Sequence, residues 1–292
     1  MMKTSLMLTL LHWIILSVVL VFVLGAALTA FGSWSFQRMA GRETAELLSR
    51  AGQATPPALQ QEDIQGLPGP VQRWLRRSGA LSRPAIHTGR VVQRARMRLR
   101  PEQETWYGAA ALQYTTTEPP AFIWTVDVRM NALLHFRGRD RMVDGQGEML
   151  IKVNSLLPVV NEKGDMLSEG TLQRYLGELV WFPSLAASPH IRWEALDSFS
   201  ARATITLDGT SGSGTFYFDE QGDFVRFSAM RYMENVPGAE RHEWVLTVNG
   251  YKTFGGLRVP SDMEATWKLP QGDWTWLQLE IEDIQYNQAP PA

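Results

Sequence analysis

The sequence predicts a mainly β protein with some α. Its expected fold is one large, curled antiparallel sheet, an unclosed half-barrel with packed or covering helices, behind one N-terminal transmembrane helix. Three observations predict it. An uncharged apolar run opens the chain. From Val91 the hydrophobic period becomes two, and Gly-containing turn dipeptides then recur between short strand-like runs. Strands joined by tight turns pair antiparallel, and a sheet of this size must curl or close to hide its apolar face. The expected organisation is an anchor over 1–37, a juxtamembrane helix and linker over 38–67, and the half-barrel over 68–288.

The anchor comes first. Between Lys3 and Arg38 no residue carries a formal charge, and the run from Leu6 to Phe36 is 31 residues long. About 20 helical residues span the hydrocarbon, where only a closed hydrogen-bond pattern survives. A signal peptide is the competing reading, because "AALTA" (Ala26–Ala30) resembles a cleavage site. The apolar run exceeds a usual signal core, which favours a retained anchor. The flanking charges nearly balance: Lys3 on one side, Arg38, Arg42 and Arg50 offset by Glu43 and Glu46 on the other. The habit of short-tailed anchors places the large domain on the extracytoplasmic side of an inner (cytoplasmic) membrane. His12, within the span, reads as interfacial or helix-packed rather than as part of a proton path.

"QRMAGRETAELLSRAG" continues the helix, and "QATPPALQQEDIQGLPGP" breaks it. In "GPVQRWLRRSGAL", Pro70 can open a short helix and Gly79 close it, with Val71, Trp74 and Leu75 on one side. In "VVQRARMRLR", Ala95, Met97 and Leu99 alternate with Arg94, Arg96, Arg98 and Arg100, giving a strand with one dry and one basic face. Strand-like segments follow up to "GEMLIKVNSLL", with a hairpin turn at Asp144-Gly145. A helix over Thr171–Val180 interrupts the series. Strands resume at "IRWEAL", with turns expected at Asp208-Gly209, Gln221-Gly222, Asn249-Gly250 and Gln271-Gly272.

Net charge is −2, with 13 Lys/Arg against 4 Asp/Glu in residues 1–100 and 15 against 26 thereafter. The basic part adjoins the anchor, where anionic headgroups or the acidic half attract it. Neither this balance nor the arginine row supports nucleic-acid binding, since no recognition helix accompanies them. Without cysteine the chain has no disulfide and no thiolate nucleophile. His87, His135, His190 and His242 show no i+2 or i+4 partner, so no metal site is expected. "LDGTSGSGTF" lacks the lysine of a phosphate loop, and no cofactor is expected. Ser211 and Ser213 have no nearby histidine to activate them.

Carboxylates and aromatic rings remain. Arg174 and Glu178 stand four apart on the predicted helix, a natural ion pair. If buried, that pair needs second partners such as Tyr175 or Asp140. Asp140 and Glu178 are the candidate catalytic carboxylates, for acid and base roles. Trp124, Arg174, Tyr175, Glu178 and Trp181 are the candidate ligand-binding residues. Eight tryptophans lie beyond residue 100, as core or as the wall of an apolar cavity. The leading functional expectation is non-catalytic binding of a lipid or other apolar envelope ligand. A carboxylate-dependent hydrolase acting on an envelope substrate and a structural partner in a membrane complex stand as alternatives. The expected partners are the lipid bilayer, an apolar small molecule and a membrane protein.

Four segments carry a resemblance: "LPGPVQRWLRRSGA" (67–80), "PPAFIWTVDVRM" (119–130), "RYLGELVWFP" (174–183) and "PQGDWTWLQLEIEDIQYN" (270–287). They resemble a bacterial family of uncharacterised membrane-anchored proteins, over about residues 65–287. That family implies kinship and no particular reaction. More loosely, hairpins such as "GSGTFYFDEQGDFVRF" resemble periplasmic lipoprotein-carrier and related lipid-binding domains. This second resemblance implies an unclosed β-barrel with helices covering a hydrophobic cavity.

Overall fold

The computed structural model describes residues 2–51, 57–131 and 133–287. Helix α1 (Met2–Arg50) is continuous through the apolar run and the polar stretch behind it, 49 residues in all. At 1.5 Å per residue it is roughly 73 Å long, far more than a bilayer core requires. It is the one described helix long and apolar enough to cross a membrane. The helix ends at Arg50, just before the segment 53–70 expected to break it; residues 52–56 lie outside the described residues. Helix α2 (Gly69–Ser78) ends at Gly79, whose φ of 76° is the left-handed cap that glycine adopts without strain.

The rest is a single 13-stranded antiparallel sheet. One half is the meander β1 (Thr88–Met97), β2 (Tyr107–Thr117), β3 (Pro120–Arg129), β4 (His135–Val143), β5 (Gln146–Val153) and β6 (Leu157–Lys163). The other half begins with β7 (Ile191–Ala195), β8 (Ser200–Leu207), β9 (Thr210–Phe218) and β10 (Phe224–Tyr232). It ends with β11 (Arg241–Phe254), β12 (Leu257–Leu269) and β13 (Gly272–Tyr286). The halves join where β1 pairs with β13, from Gly89 opposite Tyr286 to Met97 opposite Leu277. The first and last strands therefore lie at the centre, and β6 and β7 are the edges. Between those edges the chain passes through α3 (Asp165–Glu178), which packs against β5, β8, β9 and β10 on the concave face. The concave face and α3 together hold the main core, including Trp74, Phe122, Tyr175, Trp181, Phe216 and Phe227.

Period-two burial holds where one face is wet. Ala95 and Met97 of β1 are buried while Arg94 and Arg96 are exposed. The strand stops at Met97, so Arg98, Leu99 and Arg100 fall in the loop rather than continuing the alternation. Two other expectations need correction, and one strand was not anticipated. The segment "LPVVNEK" is strand β6, although nearly every residue in it is exposed. An edge strand outside the core carries no apolar alternation to read. Helix α3 starts at Asp165, six residues before the expected Thr171, because burial on several sides hides its period. Asn249-Gly250 is no turn. It is a bulge within β11, and the reversal comes at Gly255-Gly256, with φ of 55° and 81°. Asp144-Gly145 is a tight turn as expected, both residues having positive φ.

The C-terminal part of α1 lies on the outer face of β2 to β4. Leu47 and Leu48 pack against Ala121 and Ile123. Glu43 sits 3.1 Å from the Arg139 guanidinium and 3.7 Å from that of Arg141, and both arginines also pair with Glu148. The amphipathic half of α1 is thus held by a small apolar patch and an ionic cluster.

Candidate functional site

Helix α3 approaches the sheet closely because glycines line the contact. A Cβ at Gly212 would stand 2.9 Å from the Gln173 nitrogen, and one at Gly147 2.4 Å from the Thr171 hydroxyl. With the helix pressed in, Leu172, Leu176 and Leu179 are fully buried. Arg174 points across the concavity. Its Nε donates to Glu178 Oε1 at 2.8 Å, its Nη1 to Asp140 Oδ2 at 2.7 Å, and its Nη2 to Gln113 Oε1 at 3.2 Å. Gln113 Nε2 in turn donates to Glu178 Oε2 at 2.8 Å. The guanidinium also lies 4.7 Å from the Trp124 ring centre, and Trp124 Nε1 donates to Gln93 Oε1 at 2.8 Å.

The ion pair has no wet side. Side-chain exposure is only 14% for Arg174, 13% for Asp140 and 12% for Glu178. Burial raises the Asp140 carboxyl above the ordinary aspartate value, and the opposing pull of Arg174 does not cancel it. Burial also works to release the Arg174 proton, but Glu178 and Asp140 outweigh it, so Arg174 holds that proton more tightly than usual. Desolvating three charges costs several kcal/mol per ion unless geometry and extra hydrogen bonds compensate. Gln113 supplies such bonds.

A second arginine lies nearby. Phe227, Ala229 and Arg231 of β10 share the inward phase, and Arg231 follows the two apolar residues onto the concave face. Its guanidinium is 4.6 Å from the Trp244 ring centre and 5.9 Å from that of Trp267. Helix α3 crosses it at Gly170, where a Cβ would stand 3.0 Å from Nε. That Nε is shut off from solvent with no hydrogen-bond partner. Among the described residues, no carboxylate comes within ion-pair distance of Arg231. Burial, then the charge of Arg174, pushes its guanidinium down to about 10, so it is still cationic at neutral pH.

These groups border a cavity of about 620 Å³, walled by Trp124, Trp181, Trp244, Trp267, Trp274 and Trp276 among others. A second cavity of about 890 Å³ shares Trp124, Asp140, Met149, Val160 and Trp276 with it. The two cavities adjoin at these residues and together form the hollow, whose second part extends toward Met130, Phe136, Ile151 and Val159. Its lining is predominantly apolar, and each part is of a size ordinary for small-molecule sites. The indole nitrogens of Trp244, Trp274 and Trp276 are, like Arg231 Nε, buried without a partner. Among the described residues, no group of His, Cys, Asp or Glu converges as a metal site would require.

The hollow brings together Asp140, Trp124, Arg174, Glu178 and Trp181. Trp181 faces it while its Nε1 donates to the Pro260 carbonyl oxygen at 3.1 Å. Tyr175 is turned elsewhere: its hydroxyl donates to the Thr116 carbonyl oxygen at 2.8 Å, and its ring stacks near Phe122. Arg231, Gln113 and Gln93 were not identified from sequence. For Arg231 a signal existed, an arginine in phase with Phe227 and Ala229. For the glutamines none did.

The sequence pattern of one family matches residues 57–279. The chain belongs to DUF6544, a family of unknown function. Among curated proteins none matches the chain. Two solved structures are similar to it. One is a LolA superfamily protein from Nitrosomonas europaea, with 10% identity and a TM-score of 0.34, over 75% of this chain and 94% of that one. The other is a β-barrel-like protein of domain DUF1849 from Brucella abortus. It has 11% identity and a TM-score of 0.24, over 70% of this chain and 99% of that one. At these scores neither likeness bears on what a DUF6544 protein binds or does. The hollow itself must carry that argument.

Proposed function

We propose that this DUF6544 protein is a membrane-anchored, non-catalytic binder of a lipid or similar amphiphile. The apolar part of the ligand lies along the tryptophan-lined hollow, and an anionic or other acceptor group meets Arg231. One observation carries the reading: an apolar, tryptophan-walled cavity contains a cation with no hydrogen-bonded counterion. Buried donors without acceptors cost about 1–3 kcal/mol each, more for charged groups, and a ligand oxygen would recover that cost. Cation and aromatic groups that already stack together form a pre-organised headgroup site.

The hydrolase reading has less support. Asp140 Oδ2 and Glu178 Oε1 accept hydrogen bonds from Arg174, and Glu178 Oε2 accepts one from Gln113, so these oxygens are already engaged by protein donors and not free to take a proton from a substrate. The anchor reading of α1 rests on its length, its composition and the exposure of the large apolar side chains between Leu10 and Phe31.

Native mass spectrometry of the full chain, released from mild detergent before and after organic extraction, tests the proposal. A stoichiometric extractable mass is expected, and Arg231→Met should reduce its occupancy several-fold while preserving the melting transition. A clean apo mass across lipid-rich preparations would sink the reading of a loaded lipid binder.

A further inference from the structure

The place where α1 leaves the folded domain coincides with an apolar fringe on the sheet. At that level Ser33 Oγ lies 3.4 Å from Ser155 Oγ, and Arg137 Nη1 donates to the Ser33 carbonyl oxygen at 3.5 Å. Gly32 is pressed against the turn between β5 and β6, where a Cβ would stand 2.7 Å from Leu156 Cδ2. From Leu10 to Phe31 the large apolar side chains of the helix are exposed; beyond Gly32, Phe36, Ala40, Leu47 and Leu48 are buried against the domain.

Beside this exit point, large apolar side chains face outward. Leu133 in the β3–β4 loop is 81% exposed and Leu157 at the start of β6 is 68% exposed, with Leu156 and Val159 also exposed. The two loops are tied together, since Asn154 Nδ2 donates to the Leu133 carbonyl oxygen at 3.0 Å. In water these leucines gain nothing from exposure, and a contiguous apolar patch marks a contact surface. The same end of the sheet carries two tryptophan–arginine stacks, Arg38 with Trp34 at 5.1 Å and Arg98 with Trp106 at 4.8 Å. Tryptophan and arginine side by side are the usual occupants of a headgroup layer.

We propose that this end of the sheet is seated in the leaflet that α1 enters, with Leu133 and Leu157 dipping below the headgroups. The partner is the bilayer surface itself. The hollow reaches the same end of the sheet, through Met130, Phe136, Ile151 and Val159. Its mouth therefore opens onto lipid, and an amphiphile enters sideways from the leaflet without crossing water. This inference rests on the reading of α1 as a retained anchor, and its entry step on the ligand-binding reading.

The chain has no cysteine, so single reporters can be placed cleanly. Leu133→Cys, Leu157→Cys and a control, Glu220→Cys in the exposed β9–β10 turn, are labelled with an environment-sensitive fluorophore. The full chain is then reconstituted in phosphatidylethanolamine–phosphatidylglycerol vesicles. Labels at 133 and 157 are expected to be quenched several-fold by lipids carrying a nitroxide near the headgroup and shielded from an aqueous quencher. The label at 220 should behave oppositely. If the labels at 133 and 157 stay open to the aqueous quencher in an integrated chain, the docking is overturned. Shielding without lipid quenching would assign the patch to a second copy and overturn it equally. A chain that washes off the vesicles at alkaline pH would overturn the anchor reading as well. None of these outcomes changes the extraction result, so the docking and the ligand-binding reading fail separately.

Discussion

Arg174 and Glu178 begin as an ordinary helical pair, which when exposed is worth only about 0.2–0.5 kcal/mol. In the folded protein Asp140 and Gln113 join them out of water, and the same spacing becomes a costly, specific core feature. Removing Asp140 leaves Glu178 to balance the Arg174 charge but strips the buried Nη1 of its acceptor. Asp140→Ala is therefore expected to destabilise the domain by about 1–3 kcal/mol in chemical denaturation. The triple replacement Arg174→Met, Asp140→Leu and Glu178→Leu should cost less than that single loss. If the single and triple variants were equally stable to the parent, the cluster would have no such role. Arg231 is the complementary case. It has no ion-paired partner to lose, so its replacement should affect ligand occupancy rather than stability.

At the scale of elements, α2 is held to the sheet by Asp223, which lies before β10. Arg258 Nη2 donates to it at 2.7 Å and Arg77 Nε at 3.3 Å. Burial alone would raise this carboxyl, but the hydrogen bonds from Arg258 and Arg77 prevail and hold it below the ordinary aspartate range. The unfolded chain then takes up the proton first as pH falls. The stabilisation is complete above the ordinary value of about 3.9 and is lost as pH drops through the lower folded value. Asp223→Asn should lower the melting temperature at neutral pH and flatten the acid limb of its pH profile. An unchanged acid limb would count against this lock. Helix α3 shows what sequence could say about an element. Its leucine stripe and the turn into Trp181-Phe182-Pro183 were legible, but its first six residues were not, because a helix buried on several sides has no single apolar face.

For the whole molecule, the decisive feature is closure of the meander by its two termini. The strand nearest the C-terminus is central, pairing with both β1 and β12. Truncation after Leu269 would expose two long inner edges and split the concave core. It is expected to abolish cooperative unfolding in circular dichroism and to make both halves sensitive to protease. A truncated chain that still melted cooperatively would show that each half folds alone.

Composition and periodicity were enough to determine an apolar N-terminal helix, a large antiparallel sheet, most of its turns, and the ion-paired helix that interrupts it. These are local properties: an apolar run, a period of two, a dipeptide that accepts positive φ. The edge strand β6 and the bulge at Asn249-Gly250 were not local, since one lacks a buried face and the other is specified by register with β12. Only the tertiary structure decided that Asp140 meets Arg174, that Arg231 shares their hollow, and that Leu133 and Leu157 lie beside the exit of α1. These contacts join residues far apart in the chain, through the curl of the sheet and the β1–β13 pairing. No spacing along the sequence encodes such distances. Burial then decides what each charge does.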